Sequence, residues 1–472
     1  MRRVRGWRWD LVLLVAAALP CAWIIAGFYP GRANIDIVVN AREALGKIPY
    51  SDWQSPAMSA LWWVLLRITG QIGALFAIQV VGVFAAAWLF AVLVHRVTGR
   101  RLHSVWALLV PLTPWGISQL NMPWKDVQMA VALLVAVALV FAVRYRPGRL
   151  WILLVPAAVL LVYATAVRKN AVFAVIPIAV YLGWLLLRAV AGRLARAVDR
   201  PWRRRAGIAV STLVVLGVIG GGVLTVDGVI DRLEHVRKTG QISQVLLDDV
   251  MFSVPDAELM AADAPQELKD HISSARADCL RSGEIWDAYW NCYGRGEGGK
   301  AFAPIAHQEE LKSLWVQTVL PHPLRYLQYR AAVYSYYLFS SRLEYWPLEW
   351  HRDAQRVGLG SGSVTAEHVV RPYVEDFGLG VFPMVFKPWF WLVVGAVLLG
   401  LVRRVRTFRA EIVVLVTSSL AYILGYLPIV PANHFRYTYW PALAVSMAVV
   451  LFIAAVRSPA GASGLSSPST SS

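Results

Sequence analysis

Long apolar runs alternate along this chain with short, arginine-rich connections, and the alternation predicts its elements. Ten stretches approach the ~20 apolar residues that carry a helix across a bilayer. They are Leu11 to Phe28, Ile72 to Val94, Val105 to Leu120, Val127 to Val143, Leu150 to Val167, Ala171 to Leu187, Ile208 to Val226, Trp389 to Val402, Ile412 to Leu427 and Pro441 to Val456. Pro56 to Leu66 is also apolar and rich in tryptophan, but it abuts Arg67 and Gly70, which predicts a helix lying along the membrane surface. Pro321 to Ser341, with Tyr334, Tyr336 and Tyr337, reads as a second interfacial helix, because aromatic rings with polar tips favour that depth.

The basic residues orient these segments. Arg2, Arg3, Arg5 and Arg8 precede the first span with no small-residue cleavage site after it, so an uncleaved helix with a cytoplasmic N-terminus is expected. His95 to His103, the turn with Arg144, Arg146 and Arg149, the run from Arg188 to Arg205 with its seven arginines, and Arg403 to Arg409 all fall on that same side. Tyr29 to Pro56, Asn121 to Asp126 and Arg168 to Asn170 then lie outside, and the C-terminus lies inside. The composition changes at Asp227, after which most of the acids appear. The expected organisation is a membrane core over 1–226, an extracytoplasmic α-rich domain over 227–386, further spans over 387–457 and a disordered Ser/Pro/Gly tail over 458–472. The fold class is an all-α polytopic membrane protein of about ten spans.

Composition agrees with this picture: 57% of the 472 residues are hydrophobic and only 16% charged. The net charge of +17 belongs to the inner loops, so it carries no nucleic-acid claim. Cys279 and Cys292 both fall in the outer segment, where an oxidising compartment would pair them. Gly294 to Lys300 has phosphate-loop spacing, but Ala301 stands where a magnesium-binding hydroxyl belongs and no strand precedes it, so the stretch reads as a loop. Gly358 to Gly362 lacks strand and helix context as well.

The chemistry is expected in the outer loops. Asp36 and Asp52 place two acids beside the membrane, where charge is costly and marks function. Lys125, Arg168, Lys169 and Arg436 beside His434 sit at outer helix ends, where cations are normally scarce. Cations converging near an acid suit a substrate with a phosphate leaving group, and the carboxylate can accept a hydroxyl proton.

Tyr29-Pro-Gly with Asp36, Asp52-Trp-Gln-Ser-Pro56, Trp124-Lys-Asp126, Arg168-Lys-Asn170 and His434-Phe-Arg-Tyr437 together resemble bacterial members of the GT-C glycosyltransferase superfamily. The resemblance covers the membrane core. It implies an enzyme of the cytoplasmic membrane that takes a sugar from a polyprenyl-phosphate donor and gives it to an acceptor outside: a surface glycan, lipid or protein. It implies Asp36 as catalytic or donor-orienting residue with Asp52 in support. Lys125, Arg168, Lys169, His434, Arg436 and Tyr437 would hold the donor phosphate, and Tyr29, Trp53, Gln54 and Trp124 would line the substrate groove. Relatives often carry two adjacent acids, whereas Asn34 and Ile35 precede a lone Asp36; no cofactor is called for, and a divalent metal stays open. Two other readings remain: a glycan polymerase or ligase using pyrophosphate-linked donors, and a lipid transporter, whose charges would lie mid-span.

Overall fold

The computed structural model describes residues 7–145, 151–191, 201–340, 343, 345–360, 362–430 and 432–456. Arg2, Arg3 and Arg5, Arg146 and Arg149, the middle of the Arg188–Arg205 loop and the tail expected beyond 457 lie outside the described residues. Among the described residues the protein is all-α, without strands; two isolated backbone bridges join Gly31 to Gly360 and Ser51 to Arg237.

Among the described residues six helices are long and apolar enough to cross a membrane: Trp7–Phe28, Ala74–Thr98, Lys125–Tyr145, Lys169–Ala189, Pro201–Glu234 and Phe435–Val456. The protein is therefore membrane-embedded. Leu154–Val167, Pro388–Leu401 and Arg409–Leu424 are apolar but have only 14, 14 and 16 residues. At ~1.5 Å per residue they fall short of a ~30 Å hydrocarbon layer. The run expected as one span from Val105 to Leu120 is broken instead. A helix ends at Leu109, a 3-10 turn covers Val110–Leu112, and a short helix covers Pro114–Ile117. Pro111 and Pro114 account for the break, since each removes a backbone donor from the helical ladder.

Most of the buried apolar side chains belong to one core among the long helices, which includes Phe28, Trp62, Phe90, Trp124 and Trp440. A second, smaller core is built by Leu247, Val250, Met251, Leu268, Ile272, Tyr289, Leu311 and Leu314, and Trp53, from the segment after the first long helix, is inserted into it. Asp227, where the composition changes, lies inside the helix Pro201–Glu234. Trp346, Val357, Val370 and Phe386 pack on the large core.

Three features of this frame position the site. The helix Lys125–Tyr145 is packed by Ala74–Thr98, Leu154–Val167 and Tyr439–Val456, so its first turn is surrounded by other helix ends. Its acidic second residue, Asp126, suits the positive end of the helix dipole. The segment after the first long helix folds into two helices. Asn34 caps Ile35–Ala44 by accepting from the Ile37 backbone N–H at 3.3 Å, and Ser55 caps Pro56–Thr69 by accepting from Met58 at 3.2 Å. Gly31 before them has φ +108°, and a Cβ there would meet Phe76 Cβ at 3.0 Å, so only glycine fits that bend.

At the opposite end of the bundle, fully buried Glu411 accepts from Tyr181 Oη at 2.7 Å and pairs with Arg144.

Candidate active site

Two cavities meet beside the segment that carries Asp36 and Asp52. The smaller, of about 300 Å³, is lined by Asn34, Asp36, Trp53, Lys125, Arg168, His434, Arg436 and Tyr437, with Asp287, Trp290, Arg295 and Trp350 on the facing side. The larger, of about 540 Å³, contains Asp52, Gln54, Lys125, Arg168, Lys169, Asp227 and Lys238, together with apolar Ala166, Val167, Val245, Tyr426 and Ile429. Lys125, Arg168, Gln241 and Gln244 line both, so these four form the shared wall.

Each cation of the smaller cavity arrives by a different route. Lys125 opens its helix and Arg168 ends the helix Leu154–Val167 as its C-cap. Arg436 stands in the 3-10 turn Phe435–Thr438 that leads into Tyr439–Val456. Between the arginines lies Asp126, which is fully buried: Arg168 Nε is 2.8 Å from Oδ1 and Arg436 Nε is 3.7 Å from Oδ2. Arg436 also donates to Asp36 Oδ2 at 3.0 Å, and its guanidinium lies 4.4 Å over the Trp124 ring. The Arg168 guanidinium sits 5.0 Å over Tyr437. Lys125 Nζ donates to the Trp53 carbonyl at 3.2 Å and to Gln54 Oε1 at 3.5 Å, without a paired carboxylate among the described residues. Three cations against Asp36 and Asp126 leave this cluster with an excess positive charge, which is the condition for holding an anion.

Asp36 is locked on both oxygens. Gln54 Nε2 donates to Oδ1 at 3.0 Å and Arg436 to Oδ2. Burial works to raise its carboxyl, but the Arg436 and Lys125 charges and the Gln54 hydrogen bond outweigh it and bring it down to about 2. Asp36 is thus a full anion at neutral pH and, while Arg436 stays on it, a weak proton acceptor.

The two acids of the first outer loop part company. Asp52 lines the larger cavity, and its Oδ1 accepts from the Thr239 backbone N–H at 2.7 Å and from Thr239 Oγ1 at 2.5 Å. With the Ser51–Arg237 bridge, this ties the loop to the segment after the long helix Pro201–Glu234. Lys169 is mostly exposed and pairs with Asp227 at the rim of the larger cavity, away from Asp36. Trp124 lies beneath Arg436, donating from Nε1 to Asn34 Oδ1 at 2.8 Å. Tyr29 lines neither cavity; its hydroxyl donates to Gln71 at 3.1 Å. His434 is edge-on to Tyr437 at 5.7 Å.

Glu43, further along the Asp36 helix, supports the loop from below. It is buried, and it accepts from Ser59 Oγ at 2.7 Å and from Ser51 N at 2.9 Å. Burial lifts its carboxyl to about 7 even though these hydrogen bonds oppose the shift.

Sequence reasoning missed the facing wall. Asp287, Trp290 and Arg295 come from a segment stapled by the Cys279–Cys292 disulfide and have no periodicity to betray them. Arg295 rests 5.3 Å over Trp290 and has no acid paired with it among the described residues. The Gly294–Lys300 stretch, set aside as a mere loop, supplies this cation.

Among the described residues no three His, Cys, Asp or Glu side chains gather as a metal-binding group. The donors present do not fit a divalent ion at Asp36, because both of its oxygens already accept hydrogen bonds and two cations adjoin it. No family model matches the chain, and no curated protein or solved structure matches it.

Proposed function

We propose that this protein is a membrane glycosyltransferase of GT-C type, with about ten spans, that moves a sugar from a polyprenyl-phosphate donor to an acceptor on the outer face of a bacterial cytoplasmic membrane. The observation that carries the reading is the cation cluster: Lys125, Arg168 and Arg436, from three separate helix ends and in excess over their acids, stand beside Asp36 in the smaller cavity, and Lys125 and Arg168 also face the larger one.

The arrangement supports a division of labour. A donor phosphate at Lys125 and Arg168 would receive charge-assisted hydrogen bonds, strongest as negative charge builds on the leaving oxygen. The lipid chain would leave past Ala166, Val167, Tyr426 and Ile429, the apolar part of the larger cavity. The sugar would enter the smaller one, where Trp53, Trp290 and Trp350 offer ring faces and Asp36 an anion against the positive charge that grows at the anomeric carbon. A phosphate drawing on Arg436 would loosen that residue's hold on Asp36 and make the carboxylate more basic, so donor binding and activation of Asp36 would be coupled.

Arg295 gives one specific reason to keep a second reading, a polymerase or ligase with a pyrophosphate-linked donor, because a second phosphate would find a cation at the cavity wall. One experiment addresses both. Purified protein in lipid nanodiscs is given decaprenyl-phosphate and decaprenyl-pyrophosphate sugars, while glycans and glycoproteins of a deletion strain are compared with the parent's by mass spectrometry. Transfer from the monophosphate donors and one missing sugar are expected. No transfer from either donor class and unchanged glycans would sink the reading.

A further inference from the structure

Two acids line the smaller cavity, and only one of them is engaged. Asp36 accepts from Gln54 and Arg436 on its two oxygens. Asp287, on the facing wall, has no donor seated on its carboxylate among the described residues, although the backbone around it is tightly held. Its own N–H donates to Asp248 Oδ2 at 3.0 Å, and the next N–H, of Ala288, donates to Asp248 Oδ1 at 3.0 Å. Asp248 is buried, and its neighbour Asp249 is fixed by Arg330 at 2.7 Å and Trp315 Nε1 at 2.9 Å. The Cys279–Cys292 disulfide closes the loop that contains Asp287. Asp287 itself has φ 54° and ψ 40°, the left-handed region that side chains other than glycine seldom occupy. A structure that clamps the backbone of one residue in a costly conformation, and leaves its carboxylate open toward a cavity, is spending stability on the placement of that carboxylate.

Resting on the transferase reading above, we propose that Asp287 is the catalytic base that takes the proton from the acceptor hydroxyl, while Asp36 remains an anion that orients the donor. In this step the acceptor oxygen forms its bond to the anomeric carbon as its proton passes to a carboxylate oxygen of Asp287. The bond between that carbon and the phosphate oxygen breaks, and its electron pair leaves on the polyprenyl phosphate held by Lys125 and Arg168. The proton is then released to solvent. The division suits the chemistry, because a base must have a free lone pair where the acceptor enters, and the facing wall belongs to the outer unit, away from the lipid side of the site.

The electrostatic setting is consistent with it. Burial, the nearby Asp248, and to a lesser extent Asp36 and Glu284, raise the Asp287 carboxyl well above the ordinary carboxylate range, against the pull of Arg436. Lys125, Arg168, Arg295, His434 and Tyr437 complete the titratable and charged groups that line the cavity. A more basic carboxylate is the better proton acceptor, and of the two acids Asp287 is raised while Asp36 is lowered.

The test is steady-state transfer by the full-length protein in nanodiscs with a panel of decaprenyl-phosphate pentoses and hexoses, together with equilibrium binding of decaprenyl phosphate. Asp287→Asn is the informative variant, since asparagine tolerates the left-handed backbone and keeps the shape. It is expected to lose roughly 10²- to 10⁴-fold in kcat while binding decaprenyl phosphate as the wild type does. The wild-type kcat should rise with pH as the base loses its proton, and the residual activity of Asp287→Asn should not follow that limb. Asp287→Glu, which restores the carboxylate, should recover part of the rate. Transfer by the wild type with near-normal kcat in Asp287→Asn would overturn the assignment and leave the transferase standing. Weakened decaprenyl phosphate binding that accounts for the whole loss would make Asp287 structural and overturn it as well. A wild type that transfers nothing from any donor of the panel would sink the transferase reading, and this inference with it.

Discussion

Arg436 donates a 3.0 Å hydrogen bond to Asp36 across 400 positions of sequence, which joins the turn before the last long helix to the short helix after the first. Both side chains are mostly covered, 11% and 18% exposed, so neither charge can fall back fully on water. Breaking such a pair on one side is more costly than removing both partners. Arg436→Ala should therefore destabilise the protein by roughly 3–5 kcal/mol. Adding Asp36→Asn should give back about 1–3 kcal/mol as coupling. Unfolding followed in detergent by tryptophan fluorescence checks this; strictly additive losses would mean that the two residues do not depend on each other.

Asp52 is held by Thr239 and not by the cation cluster, and that predicts a different phenotype. Asp52→Ala should leave the Thr239 N–H without its partner, at a cost of about 1–3 kcal/mol, and loosen residues 236–241. Hydrogen exchange should show faster amide exchange in that segment, with transfer reduced less than by a change at Asp36. Exchange unaltered at 236–241 would contradict the tie.

Much of this site was legible because hydropathy is a local signal. Lys125, Arg168 and Arg436 stand out from sequence alone as cations at helix ends where the inner loops hold most of the others, and the structure brings those three ends to one wall. What the chain order hides is which acid answers which cation. Asp126 follows Lys125 in sequence and reads as its partner, yet the helix turns it toward Arg168 and Arg436. Asp52 is two residues from Gln54, yet Gln54 reaches Asp36 while Asp52 turns away to Thr239. Asp287 and Arg295 lie in a loop with no period to read, and only the second core and its disulfide bring them across. The broken helix before Pro114 had a visible signal in Pro111 and Pro114, which the apolar average of that stretch outweighed.

Glu43 sets a pH dependence beneath the Asp36 helix. Its carboxyl is lifted to about 7 in the folded protein from an ordinary value of 4.5, so folding favours the protonated form. The stability this proton confers is complete below about 4.5 and is lost as the pH rises through about 7. Glu43→Gln, a neutral side chain of the same shape, should flatten that limb. Thermal unfolding of wild type and variant between pH 4.5 and 8 tests it; parallel curves would show that Glu43 does not titrate in this range.

Orientation in the membrane underlies the reading of the site as outward-facing. Lys312, on a helix of the second core, is 67% exposed, and Arg404 lies in an exposed turn beyond the helix Pro388–Leu401. With Arg-rich loops cytoplasmic, a cysteine replacing Lys312 should react with a membrane-impermeant thiol reagent in intact cells, and one replacing Arg404 should react only after permeabilisation. Labelling of the Arg404→Cys variant in intact cells would reverse the map.

The central claim is that the shared wall holds a lipid-linked phosphate, and Arg168 tests it most directly. Arg168 lies on the wall itself, paired with Asp126 and not with Asp36, so its removal leaves the Asp36 hydrogen bonds in place. Losing a charge-assisted contact to a buried phosphate costs about 1.5–3 kcal/mol, equivalent to roughly ten- to a hundredfold in affinity. Arg168→Lys, a point charge instead of a planar fork, should recover only part of it. The measurement is the dissociation constant of decaprenyl phosphate for wild type, Arg168→Ala and Arg168→Lys in nanodiscs. The account predicts binding weakened by that factor in Arg168→Ala and partly restored in Arg168→Lys; equal affinities for all three proteins would contradict it.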